Sequence, residues 1–237
     1  MVSEKISSPI DRYFKCFYEF KRDTYKKLLE EKSLLKTKNG NFQDRTDFFM
    51  RSLIDCFFLG GDYFEFGVYT GGSALFIAKF LEDANEISGR NVQLYLFDSF
   101  MGFPEISEHD LRHIKKGCFS CSYEDTKNYI DSNLKDSSFV HYKVGWIPET
   151  FVGLDSVNIA FAHFDVDLYQ SYMDCFKYAY PKLLKNGIFL FDDAGDRDWP
   201  GATEAMHKFF SDKNDKPQVM KYTTFDNKID EQWYYKK

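Results

Sequence analysis

Two short stretches of the 237-residue chain gather carboxylates in a pattern that suggests chemistry. One reads His163-Phe-Asp165-Val-Asp167-Leu-Tyr169 and the other Phe191-Asp192-Asp193, and each follows an apolar run. Oxygen donors without sulfur suit a hard divalent cation such as Mg²⁺, Ca²⁺ or Mn²⁺, and the expected ligands are Asp165, Asp192 and Asp193. Without a cation, carboxylates so close together repel and raise one another's pKa. Asp167 is either a further ligand or the partner of a basic residue, and the acids could instead cap the helices that follow them. A bound cation would hold two vicinal oxygens of an acceptor and lower a hydroxyl pKa. The candidates for removing the proton are His163, His207 and Asp165 itself.

A second constellation is Glu65-Phe-Gly67-Val-Tyr69-Thr70-Gly71-Gly72-Ser73, which joins an apolar run to a helical pattern. Glycines at such a turn let the backbone approach a ligand, and the N–H groups of the following helix suit a carboxylate. The spacing G-x-x-x-G-G departs from the G-x-G-x-x-G of dinucleotide sites and argues against NAD or FAD. A ligand with a carboxylate end, such as S-adenosylmethionine, fits better. Its expected contacts are Glu65, Gly67, Tyr69, Thr70 and Ser73. Asp98 closes the next apolar run, where an acid can accept from ribose hydroxyls. Ser99 and Phe100 follow it, Phe100 and Phe103 could shield an adenine ring, and Asp165 is expected to touch the same ligand. The plainer alternatives are a tight turn at Gly67–Gly72 and a capping role for Asp98.

These residues need elements to hold them. Apolar periodicity predicts helices over 10–35 and 44–59, the second ended by Gly60-Gly61. Strands are then predicted at 63–68, 92–97, 139–144, 157–164 and 187–191, separated by helices at 73–82, 123–134 and 171–184. A helix at 200–210 and two strands at 219–225 and 232–235 complete the chain. Alternating β and α units imply a mostly parallel sheet of seven strands with helices on both faces, closed by a terminal hairpin. Ligands of such sheets bind past the carboxyl ends of the strands, where the acids and the glycine turn fall. The predicted organisation is an N-terminal helical extension, or lid, over 1–60 and an α/β domain over 61–237.

Composition narrows the classes further. A hydrophobic fraction of 43% supports one sizeable core, and the 19% aromatic content suggests a core built with Phe, some of it lining a cleft. The net charge of −6 gives no global pull toward nucleic acid or an anionic membrane. No apolar stretch is long enough to span a bilayer. Five cysteines, at 16, 56, 118, 121 and 175, are an odd number, and residues 1–9 carry no secretory apolar run, so reduced thiols in a cytoplasm are expected. Cys118 and Cys121 form a single CxxC, too little for a structural zinc site.

Taken in order, Glu65–Ser73, Phe97–Pro104, Gly145-Trp-Ile-Pro-Glu-Thr150, Asp165–Ser171 and Tyr180–Gly187 leading to Asp192-Asp193 resemble the macrocin O-methyltransferase family. The resemblance covers roughly 45–210. It implies a class I methyltransferase, Rossmann-like fold and Mg²⁺-dependent methyl transfer from S-adenosylmethionine to a sugar hydroxyl. It also implies that the metal acids fall on Asp165, Asp192 and Asp193 and the ribose acid on Asp98, and it suggests a homodimer or larger assembly. A small-molecule hydroxyl acceptor, a sugar above all, is the expected partner, with no nucleic acid and no membrane. A catechol-type methyltransferase, a cofactor-binding protein without activity and an iron hydroxylase remain as alternatives. The last would need a two-histidine, one-carboxylate site.

Overall fold

A computed structural model describes residues 45–111, 113–223 and 229–237. The helix expected at 10–35 lies outside them. The elements run α1 (Arg45–Phe57), β1 (Asp62–Phe66), α2 (Gly72–Ser88), β2 (Leu94–Asp98), α3 (Tyr123–Ser132), β3 (Val140–Val144), β4 (Ile159–Phe164), α4 (Tyr169–Lys182), β5 (Leu183–Phe191), α5 (Pro200–Phe210), β6 (Gln218–Thr223) and β7 (Ile229–Lys236). They form a seven-stranded sheet in the order β3-β2-β1-β4-β5-β7-β6. The first five strands pair in parallel, β7 runs antiparallel to β5, and β6 pairs antiparallel with β7. This is the mostly parallel seven-stranded sheet with a terminal hairpin expected from the alternation of strand and helix.

The sheet is covered on both faces, so its central strands are apolar on both sides. All six residues of β4, Ile-Ala-Phe-Ala-His-Phe, are buried. On one face Tyr63, Leu94, Leu96 and Phe161 pack with α1 and α2; on the other Phe64, Phe97, Phe164 and Phe189 pack with α4 and α5. Side chains alternate between faces along a strand, which is why neighbours such as Tyr63 and Phe64 enter different layers. Phenylalanine dominates both layers. Phe164 alone lies within 5.4 Å, centroid to centroid, of Phe66, Phe176, Phe189 and Phe191.

The helix α1 belongs to this core. Its Phe48, Phe49, Leu53 and Phe57 are buried, and the Phe49 ring lies 5.7 Å from Phe161 and 4.8 Å from His163. The described end of the predicted 1–60 extension is thus packed on the sheet.

Several boundaries shift from expectation. α2 continues to Ser88, where Gly89 ends it with φ +70°. α4 begins at Tyr169, because the Asp110 carboxylate accepts from the Tyr169 N–H at 3.0 Å and caps the helix from a distant loop. β5 begins at Leu183, since Ile159 already pairs with Leu183 before a register shift brings Phe161 opposite Ile188. Asp110 also accepts from the Ser107 hydroxyl at 2.5 Å, and a side chain at Gly201 would overlap its carboxylate. The 105–121 loop is therefore latched to the starts of α4 and α5.

Candidate active site

The parallel ladders continue one residue beyond several strands. The N–H of Gly67 donates to Phe97, that of Asp165 to Phe66 and that of Asp192 to Phe164, at 2.8–2.9 Å. These bonds set the residues after β1, β4 and β5 level at one edge of the sheet. The residues after β1 and β4 there border a cleft of about 210 Å³ whose lining includes Gly67, Tyr69, Asp98, Ser99, Phe103, Phe119, Trp146, Asp165 and Asp167.

At the β1–β2 side, Asp98 organises the turn. One carboxylate oxygen accepts from the N–H groups of Val68 and Tyr69, both at 2.8 Å, and the other from the Phe100 N–H at 2.7 Å. These bonds hold Tyr69 and Phe100 in left-handed conformations, at φ +48° and +56°. Of the residues expected to touch a cofactor, Gly67, Tyr69, Asp98, Ser99 and Asp165 line the cleft. Glu65 is buried, Thr70 is exposed, Ser73 is half-buried, and Phe100 is buried with its ring 5.2 Å from Tyr123. Asp98→Ala would leave three backbone N–H groups without their acceptor. The expected result is a loss of about 2–4 kcal/mol in stability, read as a lower melting temperature. An unchanged melting curve would show that the turn does not depend on this carboxylate.

At the β4–β5 side, oxygens of Asp165, Asp167 and Asp193 lie within 4.8 Å of one another. Withdrawal from water raises the Asp165 carboxyl to about 7, with Asp193 adding to the effect, and raises that of Asp193 to about 6. The Asp167 carboxyl is also raised, first by burial and then by Asp193. Burial thus favours the protonated form of all three carboxyls, and the neighbouring charges add to this at Asp165 and Asp167. Asp193 is held in place: its Oδ2 accepts from the Asp167 N–H at 2.9 Å and from the Tyr172 hydroxyl at 3.0 Å. Asp167 itself sits at φ +56°, a strained turn for a residue with a Cβ.

Asp192, the third acid expected with Asp165 and Asp193, faces different partners. Its Oδ1 pairs with the Arg45 guanidinium and lies 3.3 Å from His163 Nε2. Arg45 Nε also donates to Gln232 at 2.6 Å, which ties α1 to β7. Spacing along the chain could not reveal Arg45 or Tyr172, because their contacts depend on packing.

His163 is buried between two acids, with Nδ1 2.9 Å from Glu65 Oε1. Burial lowers its pKa to about 4, so the ring is neutral over the ordinary range. It points toward Glu65 and α1 and is not among the residues lining the cleft. The Glu65 carboxyl is pushed up to about 8 by burial, with Ser73 acting against the rise and Asp98 adding to it. Its Oε2 is buried without a hydrogen-bond partner among the described residues. His207 lies exposed on α5, 5.7 Å from the Trp233 ring and away from the cleft lining. Of the three residues considered for proton removal, only Asp165 borders the cleft.

Among the described residues, Cys56, Cys118, Cys121 and Cys175 are free thiols, and no helix is long and apolar enough to cross a membrane.

Residues 53–226 match the family model described as Macrocin-O-methyltransferase (TylF). The chain is 29% identical over 141 residues to an 8-demethyl-8-(2,3-dimethoxy-alpha-L-rhamnosyl)-tetracenomycin-C 4'-O-methyltransferase of Streptomyces olivaceus, covering 56% of this chain and 52% of that protein. It is 29% identical over 159 residues to a mycinamicin III 3''-O-methyltransferase of Micromonospora griseorubida, covering 63% and 60%. The chain therefore spans between half and three-fifths of the length of these curated relatives. A crystal structure of a calicheamicin methyltransferase has the same fold, with a TM-score of 0.63 at 20% identity over 98% of this chain and 94% of that one.

Proposed function

Since the chain belongs to the macrocin O-methyltransferase family, we propose that it transfers a methyl group from S-adenosylmethionine to a hydroxyl of a sugar, borne on a glycosylated natural product, with the help of a divalent cation. The observation that carries this reading is that one cleft is bordered both by the Gly67–Tyr69 turn with Asp98 and by Asp165 and Asp167 of the converging acids.

The donor set fits a hard cation. It offers three carboxylates and no sulfur, and burial raises their pKa values, with Asp193 adding to the rise at Asp165, so a positive charge there would favour the ionised forms. Asp165, Asp167 and Asp193 would hold the ion, and Asp192 would join them on leaving Arg45. When bound, the cation would polarise acceptor oxygens and lower a hydroxyl pKa. The residues of the chain do the rest. Tyr172 and the Asp167 N–H orient Asp193. Asp98 shapes the turn that receives the cofactor, and the free Oε2 of Glu65 suits a positively charged group such as the cofactor's ammonium. Asp165, which borders the cleft, is the candidate to take the acceptor proton. Alignment of donor and acceptor then carries most of the rate.

Calorimetric titration with S-adenosylhomocysteine, alongside turnover of glycoside acceptors with Mg²⁺ or chelator, tests the proposal. Micromolar binding is expected, with activity falling by at least ~10²-fold in chelator and returning with Mg²⁺. A folded protein that binds no S-adenosylhomocysteine would rule the activity out. Full turnover in chelator would remove the cation alone.

A further inference from the structure

The mouth of the cleft carries aromatic surface that extends beyond the turn assigned to the cofactor. Phe119 is 54% exposed and Tyr69 46%, and their rings meet edge to face at 5.8 Å. Phe119 also lies 5.1 Å from Phe103 and 6.0 Å from Trp199, which is itself 5.7 Å from Phe103. Large aromatics gathered at the edge of a cleft are candidates for a binding surface.

The rim is built firmly. Phe103 donates its N–H to Cys118 at 2.8 Å and accepts from the Gly117 N–H at 2.9 Å, while the Cys121 N–H donates to Phe100 at 3.2 Å. These bonds make residues 100–103 and 117–121 a short ribbon, and Gly102 lies so close to the Cys118 carbonyl that a side chain there would overlap it. Phe119 stands on this ribbon at φ +61°, a conformation that costs a residue with a Cβ about 1 kcal/mol. The fold thus holds an exposed ring in a strained position beside the cleft.

The rim and the acids share one cleft: Phe103 and Phe119 line it together with Asp165 and Asp167. The cleft has a hydrocarbon wall beside a carboxylate cluster. A pyranose has the matching two-sided character: axial C–H groups on one face stack on the electron-rich face of an aromatic ring, while hydroxyls at the edge reach polar groups.

We infer that Phe119, backed by Phe103 and Trp199, forms the stacking platform of the acceptor's sugar subsite. The inference rests on the methyl-transfer reading and adds the residues that select the sugar. It is tested by saturation-transfer NMR with methyl α-L-rhamnoside, a sugar without a natural-product aglycone, in the presence of S-adenosylhomocysteine. Ring C–H protons are expected to show the strongest transfer. Phe119→Ala should reduce that transfer at least ~5-fold and Phe119→Trp should retain it, as expected for a stacking face. S-adenosylhomocysteine affinity and melting temperature should stay near wild type in both variants, because the Phe119 ring is half exposed.

Unchanged transfer in Phe119→Ala would overturn the inference. So would a large loss of S-adenosylhomocysteine affinity in that variant, which would assign the ring to the cofactor. Preferential saturation of free p-nitrophenol over the rhamnoside would overturn it in favour of an aglycone site. Wild-type protein that binds no S-adenosylhomocysteine would overturn the methyl-transfer reading and this inference together.

Discussion

Asp165→Asn is expected to lower kcat/KM at least ~10³-fold, about 4 kcal/mol of transition-state stabilisation, while making the cation-free protein more stable. The two effects have one cause. Withdrawal from water and the neighbouring Asp193 raise the Asp165 carboxyl to about 7 from its ordinary value near 3.8. A carboxyl that is harder to ionise in the folded protein than in the unfolded chain stabilises the fold below pH 4. It gives up that contribution as the pH rises through about 7. An amide has no charge to lose. The melting temperature of the variant should therefore draw ahead of wild type between pH 4 and pH 7, and added Mg²⁺ should raise the wild type far more than the variant. Melting curves across that range, with and without Mg²⁺, and steady-state rates check both halves. If the variant is as active as wild type, Asp165 does not serve the reaction. If it is less stable at pH 7, the acids are held together by bonds and not strained apart.

Gly67→Ala is expected to destabilise the protein by at least ~3 kcal/mol, or to leave it insoluble, and to abolish cofactor binding in whatever folds. Gly67 sits at φ +86°, and a Cβ built there would overlap the carbonyl oxygen of Asp165. That carbonyl belongs to the backbone of the strand end that carries the acids, so it cannot swing aside as a side chain could. Gly60 supplies the control: it has φ +81° and nothing within 4 Å of its Cβ direction. Gly60→Ala should cost about 1 kcal/mol from conformation alone. The difference between the two melting temperatures isolates the close approach of β1 to β4. Equal melting temperatures would show that the two strand ends can part without cost.

Much of this architecture could be read in the sequence, for physical reasons. Phe64, Phe97 and Phe164 sit in apolar strands separated by helical periods, and only a sheet covered on both faces buries such strands. Strand-end acids such as Asp165 and Asp193 were visible because a short apolar run followed by a carboxylate has few meanings at the edge of a parallel sheet. The partners of these acids were not visible. Arg45 reaches Asp192 across 147 residues of chain, and Tyr172 reaches Asp193 from the opposite face of the sheet to α1. Periodicity reports which side of an element faces inward, not which distant group it meets. Asp98 illustrates the same limit: its position was evident, but its grip on three backbone N–H groups needed coordinates. The role of His163 turned on the tilt of one ring, which the alternation of strand residues leaves open.

The latch at Asp110 bears on how such a protein can diversify. Ser107, Tyr169 and Gly201 fix that carboxylate, and the Phe103–Cys118 bonds fix the base of the rim. The attachment points of the loop are thus separate from the side chains it presents to the cleft. Substitutions at Phe119 change the presented surface and leave every anchor untouched. A lineage could exchange one acceptor for another at the rim without rebuilding the scaffold beneath it.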